Sequence, residues 1–195
     1  MYTFPESIIT PAALINDSIN TDMLSLVFGP RPGYVNKSDF LPKYNLYNIY
    51  RISSSLYKII NEKFPGCNES HQFSILPGIG DGGITILCVF YNNGCSIRLQ
   101  NGEDLLFTNY FVFTVPSDIV YYLLSICNNF NVDVQNVSLI LSGLIEKDSI
   151  LYKEIYKYFL SVSFLSSSTQ YTCQEGFNDY PQHYFNYLFE IATCV

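Results

Sequence analysis

Tryptophan is absent from this 195-residue chain, and positive charge is scarce, with 10 lysines and arginines against 17 aspartates and glutamates. The formal net charge of −7 is the opposite of the basic footprint by which proteins bind the phosphate backbone of nucleic acids. Charged residues make up only 14% of the chain, whereas hydrophobic residues make up 48%. This composition excludes a disordered chain and a nucleic-acid partner, and it predicts a globular protein with a sizeable core.

Long hydrophobic runs are missing as well. The longest, at residues 84–91 and 119–124, fall far short of the roughly 20 residues that a membrane-spanning helix needs. The first basic residue is Arg31, so the basic start of a secretory signal is also missing. We therefore expect a cytoplasmic protein that has no membrane partner.

Metal-binding and catalytic side chains are few. The two histidines, His71 and His183, have no cysteine or carboxylate at a ligand-like spacing, and the six cysteines form no CxxC pair. Free thiols in a reducing compartment fit this pattern better than disulfides or a metal site. Ser142 and Gly143 lack the GxSxG context of a hydrolase nucleophile. The sequence therefore predicts no catalytic residue, no metal ion and no cofactor.

The second half of the chain contains a regular succession of predicted elements. An apolar run at 84–91, alternating faces at 105–113 and Asn-Gly turns predict three strands, at residues 84–91, 95–99 and 105–113. Helical periodicity predicts a helix over 117–129, with Leu124 buried on its apolar stripe against these strands. The remaining predicted elements alternate, with a strand at 137–141, a helix at 148–159, a strand at 161–165 and a helix at 179–192.

Three antiparallel strands followed by alternating helices and strands indicate an α/β fold with a mixed sheet. This order matches the ribonuclease H-like unit, which is also the repeated half of the actin-like ATPase superfamily. The earlier part is less regular, and its predicted elements are a strand at 2–10, a short helix that starts at Pro11, helices at 23–28 and 53–64, and a strand at 45–52. We predict an incomplete first actin-like subdomain, smaller and also α/β, at residues 1–80, and a ribonuclease H-like second subdomain at 81–195.

Few strand-like residues precede Pro11, so the strand at 45–52 is expected to lack some of its neighbours in the sheet. Uncovered strand edges favour pairing with another chain. We therefore expect an open sheet edge or a self-association contact within residues 1–80, and better packing in residues 84–193.

Nuclease activity is not expected from this fold. A ribonuclease H site needs several carboxylates at strand ends to hold two metal ions. The three central strands contain no acidic residue, and Glu103, Asp104 and Asp118 lie in a turn or at a helix start. A carboxylate at such a position usually caps the helix or is solvated.

A glycine-rich stretch at residues 78–85 separates the two predicted subdomains. It fits GxGxxG, but it leads into a strand rather than into the helix whose N–H groups would meet a pyrophosphate. It also resembles the phosphate loop of actin-like ATPases. In those proteins, however, the loop lies between the first two strands. At that position this chain has residues 91–94, which include no carboxylate. On that interpretation the nucleotide-binding residues are Gly80, Asp81, Gly83 and Thr85. A flexible linker is the simpler interpretation.

Several stretches of the chain, taken in order, resemble an uncharacterised bacterial family known as domain of unknown function 3822. They are residues 4–14, 48–64, 105–124, 141–152 and 183–194, of which 118–124 is the most specific. The resemblance implies a degenerate actin-like fold without recognisable nucleotide motifs and without an established activity. It also implies that further residues precede the segment that begins at Tyr2.

Two functions follow from these observations. The first is a cytoplasmic, non-catalytic binding or scaffolding module, with a protein partner or a second copy of itself as its ligand. The alternative is a nucleotide-binding actin-like ATPase that uses the 78–85 loop. A glycan binder would need an exposed aromatic platform, and Tyr44, Tyr47 and Tyr50 cannot all share one face of a strand.

Overall fold

The computed structural model describes residues 6–15, 17–75, 82–165, 179–186 and 188–189. The chain divides into two compact units, Met1–Leu76 and Pro77–Val195. Both units combine strands with helices, so the predicted α/β class is confirmed. Among the residues described, no helix is long and apolar enough to cross a membrane.

The first unit contains a three-stranded antiparallel sheet in the order β1-β3-β2. Its strands are β1 (Ser7–Pro11), β2 (Tyr34–Leu41) and β3 (Leu46–Ser53). Tyr50 of β3 lies opposite Ser7 on one side and Lys37 on the other. The expectation that residues 45–52 lack sheet neighbours is therefore wrong, because β3 is the central strand and the edges belong to β1 and β2.

Two α-helices accompany this sheet, α1 (Asp17–Phe28) and α2 (Ser54–Lys63). Helix α1 begins several residues before the predicted position 23 and is followed by Gly29, whose φ of 78° is typical of the residue after a helix. Helix α2 places Tyr57 and Ile60 against the cluster formed by the buried Tyr50 and Ile52 of β3. These contacts form the small apolar core of the first unit.

A polar network attaches the segment after α2 to the sheet. The carboxylate of Asp39 on β2 accepts hydrogen bonds from the Tyr50 hydroxyl (3.1 Å), the Ser74 hydroxyl (2.6 Å) and the backbone N–H of His71 (2.8 Å). Tyr50 and His71 are completely buried. Because a buried polar group without a partner is costly, these bonds fix the position of residues 71–74 on the sheet.

The second unit contains a five-stranded mixed sheet in the order β6-β5-β4-β7-β8. The pairs β4–β5 and β5–β6 are antiparallel, whereas β4–β7 and β7–β8 are parallel. The five strands are β4 (Ile84–Tyr91), β5 (Gly94–Asn101), β6 (Asp104–Val112), β7 (Ser138–Gly143) and β8 (Ser161–Phe164). All five were predicted, and their bounds differ by at most two residues at either end.

Helices α3 (Pro116–Asn129) and α4 (Ile150–Tyr156) contribute to the core of the second unit. The carboxylate of Asp118 begins α3 by accepting the N–H groups of Thr114 (2.8 Å) and Val115 (3.0 Å). Leu123 is completely buried, whereas Leu124 is only half-buried at the margin of the core. The predicted burial of Leu124 is therefore corrected, because the centre of the apolar stripe lies one residue earlier.

The end of the chain differs from its predicted helix at 179–192. A 3-10 turn occupies Gln182–Tyr184, and Asn186, Leu188 and Phe189 are helical. Residues 187 and 190–192 of that prediction lie outside the described residues.

Candidate functional site at the carboxyl edge of the second sheet

The parallel strands of the second unit end at one edge of the sheet. The strand that follows β4 in the sequence, β5, lies on one side of the β4–β7 pair, and the strand that follows β7, β8, lies on the other side. Strand order therefore reverses between β4 and β7. In open α/β sheets, ligands bind outside the carboxyl ends of the strands at such a reversal. The carboxyl ends of β4 and β7 are thus the place where this fold would position a site.

The two strand ends lie in direct backbone contact. The N–H of Leu144 donates to the carbonyl of Phe90 at 2.9 Å, which extends the pairing of β4 and β7 beyond Gly143. Gly143 has a φ of 76°, in the left-handed region that favours glycine. A Cβ at this position would overlap the Phe90 carbonyl oxygen and lie 2.8 Å from the Phe90 nitrogen. Only glycine fits here without a shift of one strand end.

Residues 183–184 lie directly against this edge. The hydroxyl of Ser142 donates to the carbonyl of His183 at 2.8 Å. His183 Nε2 lies 2.7 Å from the carbonyl of Ile145, and since a carbonyl only accepts, Nε2 carries the proton. The ring of His183 also packs on Phe164, with the ring centroids 4.2 Å apart. His183 is therefore a packing and hydrogen-bonding residue.

Tyr184 connects this edge to a charged residue, Glu146. Its hydroxyl donates to the carboxylate of Glu146 at 2.6 Å. Partial burial, together with this hydrogen bond and the negative charges of Glu146 and Asp148, raises the pKa of Tyr184 to about 12. The phenol therefore stays protonated at neutral pH and acts as a donor.

The Tyr184 contact gives a titration that can be measured. The phenolate absorbance difference between the wild type and Tyr184→Phe is expected to titrate near pH 12, above the ordinary tyrosine pKa of about 10. Because the pKa is raised in the folded state, the stability from this contact is complete below about pH 10 and is lost as pH rises through 12. In urea-unfolded protein the same difference should titrate near pH 10. A folded-state difference that titrates near pH 10 would contradict the assigned contact.

Those residues predicted to bind a nucleotide that the structure describes lie elsewhere. Gly80 and Asp81 fall outside the described residues, Gly83 is exposed, and Thr85 is buried within β4 opposite Gln100 and Ser138. Gly83 and Thr85 are at the amino end of β4, whereas the edge at Gly143 is at its carboxyl end. Phosphate binding by the 78–85 loop stays a prediction.

The resemblance to actin-like ATPases places their phosphate loop between the first two strands, which here is the hairpin between β4 and β5. Its turn residues are Asn92 and Asn93, and neither supplies a carboxylate. The aromatic rings of Tyr91 and Tyr110 lie close together on its flank, with the ring centroids 6.1 Å apart. In the described part of the chain, no group of histidine, cysteine and acidic side chains could hold a metal ion.

Sequence reasoning missed the partners at the carboxyl edge. Ser142 and His183 are 41 residues apart, and no local pattern joins them. One signal was available, because Ser142, Gly143 and Glu146 sit at or just after the end of a predicted buried strand. In a parallel sheet, residues at such positions gather at one edge.

Solved structures with a similar fold support this architecture. A crystal structure at 1.85 Å resolution of a Bacteroides thetaiotaomicron VPI-5482 protein, described as having an actin-like ATPase fold and unknown function, matches with a TM-score of 0.81 and 19% identity. The match covers 99% of this chain and 72% of that one. A chain of the PilM-PilN type IV pilus biogenesis complex matches with a TM-score of 0.62 and 9% identity, over 96% of this chain and 75% of that one. The predicted actin-like, ribonuclease H-like fold is confirmed.

Comparison with curated proteins gives no match. The family model described as "Protein of unknown function (DUF3822)" matches residues 1–162, which is most of the chain. The resemblance inferred from the residues is therefore confirmed, and this chain belongs to the DUF3822 family.

Proposed function

We propose that this chain is a non-catalytic cytoplasmic module that binds or scaffolds a protein partner through an actin-like fold. The observation that carries the proposal is the set of internal hydrogen bonds at the carboxyl edge of the second sheet. There the polar side chains of Ser142, His183 and Tyr184 bond to other residues of the same chain.

These internal bonds disfavour a small ligand at this edge. A ligand would have to replace the bonds from Ser142 and His183 with bonds of its own, so its net gain would be small. A protein partner can instead bind an outer surface of either unit and leave this edge intact. The structure of the PilM-PilN complex adds support, since it gives an example of a similar fold within an assembly of proteins.

Thermal unfolding with and without magnesium-ATP tests the proposal. We expect an unchanged midpoint at millimolar ATP, because only a ligand that binds the folded state raises its stability. A midpoint that rises with ATP concentration would overturn the proposal in favour of a nucleotide-binding protein. In that case Asp81→Ala, compared with the exposed control Asp179→Ala, would show whether the 78–85 loop holds the nucleotide.

A further inference from the structure

We propose that the outer edge of β6 is a docking site for an extended, basic segment of a protein partner, which adds to the second sheet as a further strand. The inference rests on the proposed protein-binding function and names its surface and the kind of partner. Strand addition of this type takes affinity from main-chain hydrogen bonds and specificity from alternate side chains.

The first observation is that β6 is an edge strand. In the described residues it pairs with β5 alone, over a length of 9 residues. None of these residues is buried, whereas most residues of β5 are buried. A long edge of this kind, which contains neither lysine nor proline, is a template for another strand.

The second observation concerns backbone groups on that edge. The N–H of Tyr110 donates to the side-chain oxygen of Asn109 at 2.8 Å, and the carbonyl of Val112 accepts the hydroxyl of Tyr122 at 3.3 Å. Tyr110 and Val112 are two positions apart, so their backbone groups point to the same side of the strand. Side chains satisfy these groups, and an incoming main chain can exchange with them.

The third observation is a row of aromatic rings beside the edge. The rings of Phe111 and Tyr122 stack with centroids 4.5 Å apart, and Phe107 lies 6.2 Å from Phe111 and 5.8 Å from Phe130. Phe107, Phe111 and Tyr122 are half-buried, and Phe130 is 38% exposed. The aromatic row gives apolar side chains of an added strand a surface on which to pack.

The fourth observation is charge. Residues 99–146 contain no lysine, arginine or histidine. Arg98 of β5 lies opposite Thr108 of β6, but its side chain is buried. Glu103 and Asp104 lie at the amino end of β6, and Asp118 follows its carboxyl end. Hydrogen bonds from the backbone N–H groups of Val115 and Thr114 lower the pKa of Asp118, so this carboxylate is charged at neutral pH. The surface is therefore complementary to a segment with lysine or arginine towards both ends.

This charge also argues against a second copy as the occupant. If two copies paired through β6, the carboxylates of one copy would lie near those of the other, with no exposed positive charge on β6 to balance them. The net charge of −7 on each chain adds to this repulsion. The 9 residues of β6 span about 30 Å at roughly 3.4 Å per residue. The partner segment is thus an extended stretch of similar length, with apolar side chains at alternate positions.

A synthetic peptide tests this proposal on the full chain. The probe is a fluorescent peptide about as long as β6, with alternating valine and threonine between terminal lysines, and its binding is measured by anisotropy. We expect saturable binding that Thr108→Lys weakens by roughly tenfold or more, because lysine on an edge strand blocks pairing and repels this peptide. Thr108→Val is the matched control and should retain binding.

A second pair of reagents keeps the test informative if Thr108→Lys does not fold. The double variant Glu103→Gln, Asp104→Asn changes only exposed side chains. It should bind the valine-threonine peptide more weakly, and its affinity should depend less on salt concentration. A peptide of the same charge with a central proline should not bind, because proline cannot join the ladder. Equal binding of both peptides would show charge attraction alone and overturn the proposal.

Two further results separate this inference from the proposed function. The β6 site is overturned if the wild type does not bind the valine-threonine peptide, or if Thr108→Lys binds it as well as the wild type does. The proposed function is decided separately, by the thermal unfolding experiment with magnesium-ATP. A concentration-dependent dimer in sedimentation that Thr108→Lys abolishes would assign the edge to a second copy and overturn the basic partner.

Discussion

Replacing Gly143 with alanine is expected to destabilise the second unit by roughly 2–5 kcal/mol, from two separate causes. Its φ of 76° is unfavourable for any residue with a Cβ. The added carbon would also overlap the carbonyl oxygen of Phe90, a backbone atom of β4 that cannot rotate away. Urea unfolding followed by circular dichroism measures the loss.

Gly82→Ala provides the control within the same unit. Gly82 has a φ of 93°, but a Cβ there would meet no atom within 4 Å. This variant should therefore lose only the backbone contribution, about 1–2 kcal/mol. Equal losses in the two variants would mean that β4 and β7 separate easily at their carboxyl ends. The close backbone contact would then not be a fixed feature of the edge.

The order of strands and helices in the second unit could be predicted because each element is marked by a pattern in its own short stretch of sequence. A nearly continuous apolar run marks β4 and alternating faces mark β6, and the turns before Gly94 and at Gly102 fix where each hairpin closes. The Leu124 error shows the limit of that approach. Both Leu123 and Leu124 fit a helical apolar stripe, and only the packing of α3 on the sheet shows which one is central.

The first unit was harder to predict because polar residues form part of its sheet. Strand β2 contains Asn36, Lys37, Ser38 and Asp39 in succession, which hides its alternation. The reason is visible in the structure, where Asp39 accepts bonds from residues 71 and 74 and Lys37 pairs with Glu69 at 2.9 Å. A strand that anchors a later segment through polar groups has no simple apolar pattern. The same long-range bonding hid the contact between Ser142 and His183.

Leu123→Ala is expected to destabilise the second unit by about 2–5 kcal/mol. Its side chain is completely buried in the core that Ile97 of β5 and Leu139 of β7 also line. The cost combines lost burial with the cavity left behind, because a packed sheet relaxes only in part. Chemical unfolding gives the change in free energy, provided that the denaturant dependence matches the wild type.

Leu124→Ala is the matched comparison for this prediction. It removes the same atoms from the next position of the same helix, so the change in helix propensity is the same. Because Leu124 is only half-buried, the expected loss is about half that of Leu123→Ala or less. A larger loss at Leu124 would mean that α3 is rotated about its axis. The row formed by Phe111 and Tyr122 beside β6 would then be placed wrongly as well, since the same rotation sets the position of Tyr122.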